Sequence, residues 1–204
     1  VTGVQTCALP ISGAGSGKTR VITSRIAFLM HEHKIPAYNI CALTFTNKAG
    51  KEMKERIATY FPEHTRLPFV GTFHSYCVKL LKQYREFLPF PEFTILDSDD
   101  QKSLINKILR RFGLEKQVTP AAMSGMISFE KNHLPKIGEE RTPPVPFFKD
   151  VFNEYEKEKS IAHAFDFDDL LLKTLELFQK NQVFKNSVQS QVKHLLIDEY
   201  QDTN

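Results

Sequence analysis

Seven consecutive residues, Gly13, Ala14, Gly15, Ser16, Gly17, Lys18 and Thr19, have the composition of an anion cradle. Glycine lacks a Cβ, so the backbone can turn tightly and aim successive N–H groups at phosphate oxygens. Lys18 supplies a point charge for β- and γ-phosphates, and the Thr19 hydroxyl is a hard oxygen ligand for Mg²⁺. A helix opening at this point adds the positive end of its dipole. Far along the chain the apolar run Leu195, Leu196, Ile197 ends in Asp198 and Glu199. An aspartate closing a buried strand beside a phosphate loop holds the metal directly or through water. A following glutamate is placed to orient and deprotonate an attacking water. Asp-Glu after apolar residues is a weak signal alone and a strong one when paired with the loop. Together they imply a site for a nucleoside triphosphate with Mg²⁺.

The strict loop pattern asks for glycine at position 12, where Ser12 stands. The bland alternative is a Gly/Ser linker, but Val21, Ile22, Ile26, Leu29 and Met30 follow at helical spacing, which a linker does not show. Composition bounds the remaining possibilities. A chain of 204 residues with 41% apolar content can bury a core as one domain, or as one domain with an insertion. A net charge of +3 permits a nucleic-acid partner without requiring one. Cys7, Cys41 and Cys77 are odd in number and far apart, which fits a reducing compartment, and the seven histidines form no zinc signature. No apolar run approaches the roughly twenty residues of a membrane span. These features lead to the expectation of a soluble, cytoplasmic protein with no membrane partner.

The elements that must carry the site follow a repeating order. A helix after the loop leads through a turn to the strand Ile40, Cys41, Ala42, Leu43, which ends in Thr44, Phe45, Thr46 and Asn47. A second helix, with Ala49, Met53, Ile57 and Tyr60 on its apolar stripe, leads to Phe69 and Val70. That strand closes at Gly71 and Thr72, and Phe73, His74 and Ser75 open a third helix. Strand, loop and helix in repetition imply an α/β fold with a parallel sheet, whose ligands bind at the carboxyl ends of strands. Helices without strands are expected from about residue 89. One is capped at Asp97 and stopped at Gly113; another has Pro120 at its first position; a later one opens at Asp166, Phe167, Asp168 and Asp169 with Phe167, Leu170, Leu171, Leu175 and Phe178 inward. Three close carboxylates admit a metal or acid/base reading, but capping of the helix explains them more simply.

Residues 1–11 do not read as the buried strand that a phosphate loop normally follows, since Gly3 and Pro10 interrupt them. They resemble the translation of a common sequencing adaptor in one frame. That resemblance implies a non-native segment, a first native codon at position 12 and a missing native first strand.

Residues 12–204 resemble the amino-terminal part of superfamily 1 DNA helicases of the UvrD/PcrA/Rep type. The motifs that carry the resemblance are residues 13–20, residues 43–49 (Leu-Thr-Phe-Thr-Asn-Lys-Ala), residues 71–75 (Gly-Thr-Phe-His-Ser) and residues 198–204 (Asp-Glu-Tyr-Gln-Asp-Thr-Asn). It implies a P-loop NTPase (RecA-like) parallel sheet with an inserted all-helical subdomain. Residues 12–88 would be the first part of motor domain 1A, 89–186 the insertion 1B, and 187–204 the return to 1A. ATP and Mg²⁺ are the implied cofactors, with Glu199, Lys18 and Gln201 catalytic and Arg20 against the base or ribose. Thr44, Phe45, Thr46, Asn47, Thr72, Phe73 and His74 are the implied contacts to single-stranded DNA. Phe45 offers a π face for a base; Phe73 reads equally as the start of a helical core stripe. The implied activity is that of an ATP-dependent 3′→5′ DNA helicase in repair or replication, acting on single-stranded and 3′-tailed duplex DNA. Alternatives are the motor subunit of a helicase–nuclease, or a nucleotide- or DNA-binding fragment without turnover. The family's second motor domain and its arginine fingers have no counterpart in these motifs, so the chain reads as an incomplete fragment.

Overall fold

The computed structural model describes residues 5–8, as backbone alone, with 17–133 and 143–200. In chain order the elements are β1 (Gln5–Ala8), α1 (Lys18–His31), β2 (Ile40–Thr44), α2 (Asn47–Ala58), β3 (Phe69–Thr72), α3 (Phe73–Gln83), β4 (Thr94–Ile95), α4 (Ser98–Arg111), α5 (Pro120–Asn132), α6 (Phe148–Ile161), β5 (Ala164–Phe165), α7 (Phe167–Lys180), α8 (Gln182–Gln191) and β6 (His194–Ile197). The chain divides into two compact units, residues 1–80 with 174–204, and residues 81–173.

The first unit is built on a parallel four-stranded sheet in the order β1-β6-β2-β3. β2 is buried at all five positions, as a near-continuous apolar strand covered on both faces must be. Ile22, Ile26 and Leu29 of α1 and Met53 and Ile57 of α2 pack with Ile40, Ala42 and Leu196 in one core. Val21, expected on the inner face of α1, is instead exposed: it adjoins Ile22 on the helix surface but lies outside the arc that meets the sheet. The last described strand, β6, lies between β1 and β2, so residues from the two ends of the sequence become neighbours. The segment read as foreign supplies a strand in this place. Gln5–Ala8 avoids Gly3 and Pro10, and a parallel ladder to β6 needs only backbone amides.

The second unit packs Ile105, Ile108 and Leu109 of α4, Met123 and Ile127 of α5, and Phe148, Val151 and Tyr155 of α6 into its own core. The capping signals read from sequence are present. Asp97 accepts from the N–H groups of Asp99 and Asp100, and Thr119 accepts from Ala122 ahead of Pro120. The end of α4 is closed by Gly113 N–H to Arg110 O and Leu114 N–H to Leu109 O. The expectation of helices alone is corrected by β4 and β5, a parallel pair of two residues each. Runs that short carry no alternation from which a strand could be read. Phe167 and Leu175 of α7, expected inward, are exposed, while Leu170 and Leu177 are buried. Helix α8 is capped by Asn181, with Phe184 and Val188 inward.

Candidate functional site

Helix α1 is preceded by its N-cap Gly17, whose φ of 82° lies in the left-handed region, and among the described residues no side chain caps its first turn. The first turn also contains no acidic residue, so the positive end of its dipole is not offset there by a side-chain charge of its own. Lys18 and Thr19 open this helix. Across the sheet, the amide of Asp198 donates to Leu43 O at 2.9 Å, which fixes the end of β6 against β2. Asp198 and Glu199 are thereby delivered to α1. Lys18 Nζ lies 2.7 Å from Glu199 Oε2, and Thr19 Oγ1 lies 3.5 Å from Asp198 Oδ2, across 181 and 179 positions of sequence. All four residues belong to the first unit.

Burial, reinforced by the charge of Glu199, holds the Asp198 carboxyl above its ordinary range; the Glu199 amide, Lys18 and Thr19 oppose this without cancelling it. Asp198 is only 4% exposed. A buried carboxylate beside a threonine hydroxyl is a set of hard oxygen donors, short of positive charge, that suits Mg²⁺ sharing its remaining positions with phosphate oxygens and water. The residues present fit that ion. Gly13, Ala14, Gly15 and Ser16 of the loop, and Gln201, lie outside the described residues. Arg20 is exposed on the first turn of α1.

The candidate DNA contacts gather at the same carboxyl edge, with Thr44 opposite Thr72 in the ladder. Their roles differ. Thr44 is 1% exposed. The Thr46 hydroxyl caps α2 through the Ala49 amide, and the Thr72 hydroxyl caps α3 through the Ser75 amide. Phe45 is 41% exposed, and its ring lies 5.5 Å from that of the half-buried Phe73. Asn47 is exposed and His74 half-buried.

A second cluster of carboxylates lies in the other unit. Glu156, Asp166 and Asp169 bring one oxygen each within 4.8 Å of one another. The ammonium groups of Lys131 and Lys159 sit among them, so the place of a cation is filled by protein. Asp166 and Asp169 also cap α7 reciprocally, each accepting from the other's amide, at 2.9 and 3.0 Å. The capping explanation holds, with an ion-pair network added. Sequence reading missed Lys131, Lys159 and Tyr155, whose hydroxyl donates to Asp166 at 2.8 Å. The signal was present: Met123, Ile127 and Lys131, and again Val151, Tyr155 and Lys159, continue an apolar stripe into a lysine.

The family model for the UvrD/REP helicase N-terminal domain matches residues 1–204. The ATP-dependent DNA helicase PcrA of Staphylococcus aureus is 37% identical over 202 residues, spanning 96% of this chain and 28% of that protein. The PcrA helicase of Staphylococcus epidermidis is 39% identical over the same share of each. The chain therefore spans little more than a quarter of the length of these curated relatives.

Proposed function

From the premise that this chain belongs to the UvrD/REP helicase family, as its N-terminal domain, we propose that it carries the nucleotide site of an ATP-dependent DNA helicase. The observation that carries the proposal is the meeting of Lys18 and Thr19, at the head of α1, with Asp198 and Glu199 at the end of β6. In this reading the first unit is a P-loop NTPase sheet of RecA type. Residues 13–17 and the first turn of α1 wrap the phosphates, and Lys18 binds their β- and γ-oxygens. Thr19 and Asp198 would hold Mg²⁺, which would supply positive charge to offset that of the phosphates. Glu199 orients the attacking water and takes its proton. Gln201 senses the γ-phosphate, and Arg20 lies against the base or ribose.

Single-stranded DNA crosses the carboxyl edge of the sheet, stacking on Phe45, with polar contacts from Asn47 and His74. Translocation in the 3′→5′ direction, 3′-tailed duplex substrates and a place in repair or replication extend the same family reading. The test uses a full-length protein containing these residues. Lys18→Ala should abolish triphosphate binding or turnover. Glu199→Gln should retain binding and lose several orders of magnitude in turnover, because the water loses its base. Parental ATPase in Glu199→Gln would remove Glu199 from the chemistry.

A further inference from the structure

Lys18 and Glu199 have separate tasks in the proposed reaction, yet here each occupies the other. Their side chains are 15% and 37% exposed, and the 2.7 Å contact is a charge-assisted hydrogen bond, not a distant attraction. The backbone is arranged to make it. Glu199 has a φ of 52°, a left-handed conformation that non-glycine residues seldom adopt. The same turn places the Glu199 amide 3.2 Å from Asp198 Oδ1 and brings the following carboxylate back onto α1. The neighbouring pair closes similarly, Thr19 lying against Asp198 at 3.5 Å. The site is thus closed on itself: Lys18 faces Glu199, and Thr19 faces Asp198.

We propose that the Lys18–Glu199 ion pair is a latch, in which the general base occupies the phosphate-binding lysine until nucleotide displaces it. The inference rests on the nucleotide-site reading above. Phosphate oxygens compete with Glu199 for the single Lys18 ammonium, so binding the nucleotide and freeing the base are one event. Glu199 is therefore engaged by Lys18 until nucleotide binds, and its carboxylate opposes that binding. A glutamate that served only as base would affect turnover and leave affinity alone.

Two measurements on a full-length protein containing these residues test this. Without nucleotide, an amine-reactive ester is applied and the acylation rate of each lysine is read by mass spectrometry. Lys18 should react several-fold faster in Glu199→Gln than in the parent, while Lys51, with its side chain 80% exposed, should not change. An unchanged Lys18 rate overturns the latch. In Mg²⁺-free buffer, a fluorescent ADP analogue should bind roughly fivefold more tightly to Glu199→Gln, the order expected for releasing one partly exposed pair. Glu199→Asp keeps the charge but is one methylene shorter, and it should tighten binding as well. Tightening by Gln alone would mean simple repulsion between carboxylate and phosphate, and the latch would fall. If no variant binds the analogue while Lys18 is still protected in the parent, the nucleotide reading fails although the ion pair stands, and the latch fails with it.

Discussion

Single residues at the carboxyl edge of the sheet divide into those that hold the edge and those that project from it. Thr44, Thr46 and Thr72 are spent on burial or on helix caps, whereas Phe45 is exposed between them. Replacing Phe45 with alanine should weaken single-stranded DNA binding by about 1–3 kcal/mol, the usual range for one stacking platform. The loss should be nearly the same for different homopolymers, because stacking does not read hydrogen-bonding edges. Titration of labelled oligonucleotides checks this, and equal affinity for parent and variant would take Phe45 out of the DNA path. Phe73 touches Phe45 and is half-buried, so the choice between core and ligand left open by the sequence is a matter of degree. Cys41 is a contrast: burial pushes its thiol up to about 12, so it packs as a small apolar residue and is poorly suited to react.

At the scale of elements, a tightly constrained junction lies where β3 turns into α3. A Cβ on Gly71 would lie 2.6 Å from Ser75 Oγ and 3.1 Å from the Phe69 ring. Ser75 Oγ cannot easily give way, because it donates to Thr72 O at 2.8 Å while its amide is capped by Thr72. Gly71→Ala should therefore cost about 1–3 kcal/mol through overpacking. Adding Ser75→Ala should recover part of that loss, leaving the double variant less destabilised than the sum of the singles. Urea melts of the four proteins measure the coupling; strict additivity would show that the clash is relieved elsewhere. This junction also shows what the sequence could reveal. The repeated strand, loop and helix order and the polar caps were legible because each depends on a few adjacent residues. The position of β6 between β1 and β2 was not, since strand order is set by long-range pairing that no local pattern records. For the same reason Asp198 and Glu199 could be matched to the loop only by their chemistry, while their distances to Lys18 and Thr19 needed the fold. The pair of β4 and β5 escaped because two residues leave no period.

Over the whole molecule, charge is segregated between the two units. Residues 1–80 with 174–204 hold 13 Lys and Arg against 8 Asp and Glu, a net of +5, whereas residues 81–173 hold 14 against 16, a net of −2. The basic balance thus accompanies the proposed DNA edge, while the acidic unit uses part of its charge internally. In that unit Lys131, Lys159, Asp166 and Asp169 are buried together, joining α5, α6 and the start of α7. Burial alone would raise the Asp166 carboxyl, but Lys131 and Lys159 outweigh it and hold it well below the usual carboxylate range. Burial alone would lower Lys131, but Asp169, Asp166 and Glu156 outweigh it and push it up. The signs fix the pH response. A lowered Asp166 stabilises the fold above its unfolded value of about 3.9, and that stability is lost as pH falls through the folded value. A raised Lys131 stabilises below about 10.4, and that stability is lost as pH rises through its folded value. Across neutral pH neither group titrates, and buried pairs are little screened by salt. Asp166→Asn keeps the capping oxygen and removes the charge. It should cost about 3 kcal/mol, the low end for breaking a buried pair, because Asp169 and Glu156 still face the lysines. Urea midpoints of parent and variant should differ by a constant amount between pH 6 and 8, and the gap should narrow below about pH 4, where Asp166 of the unfolded chain takes up a proton that the folded chain does not. A gap that widened in acid, or vanished at neutral pH, would mean that the network does not hold these helices together.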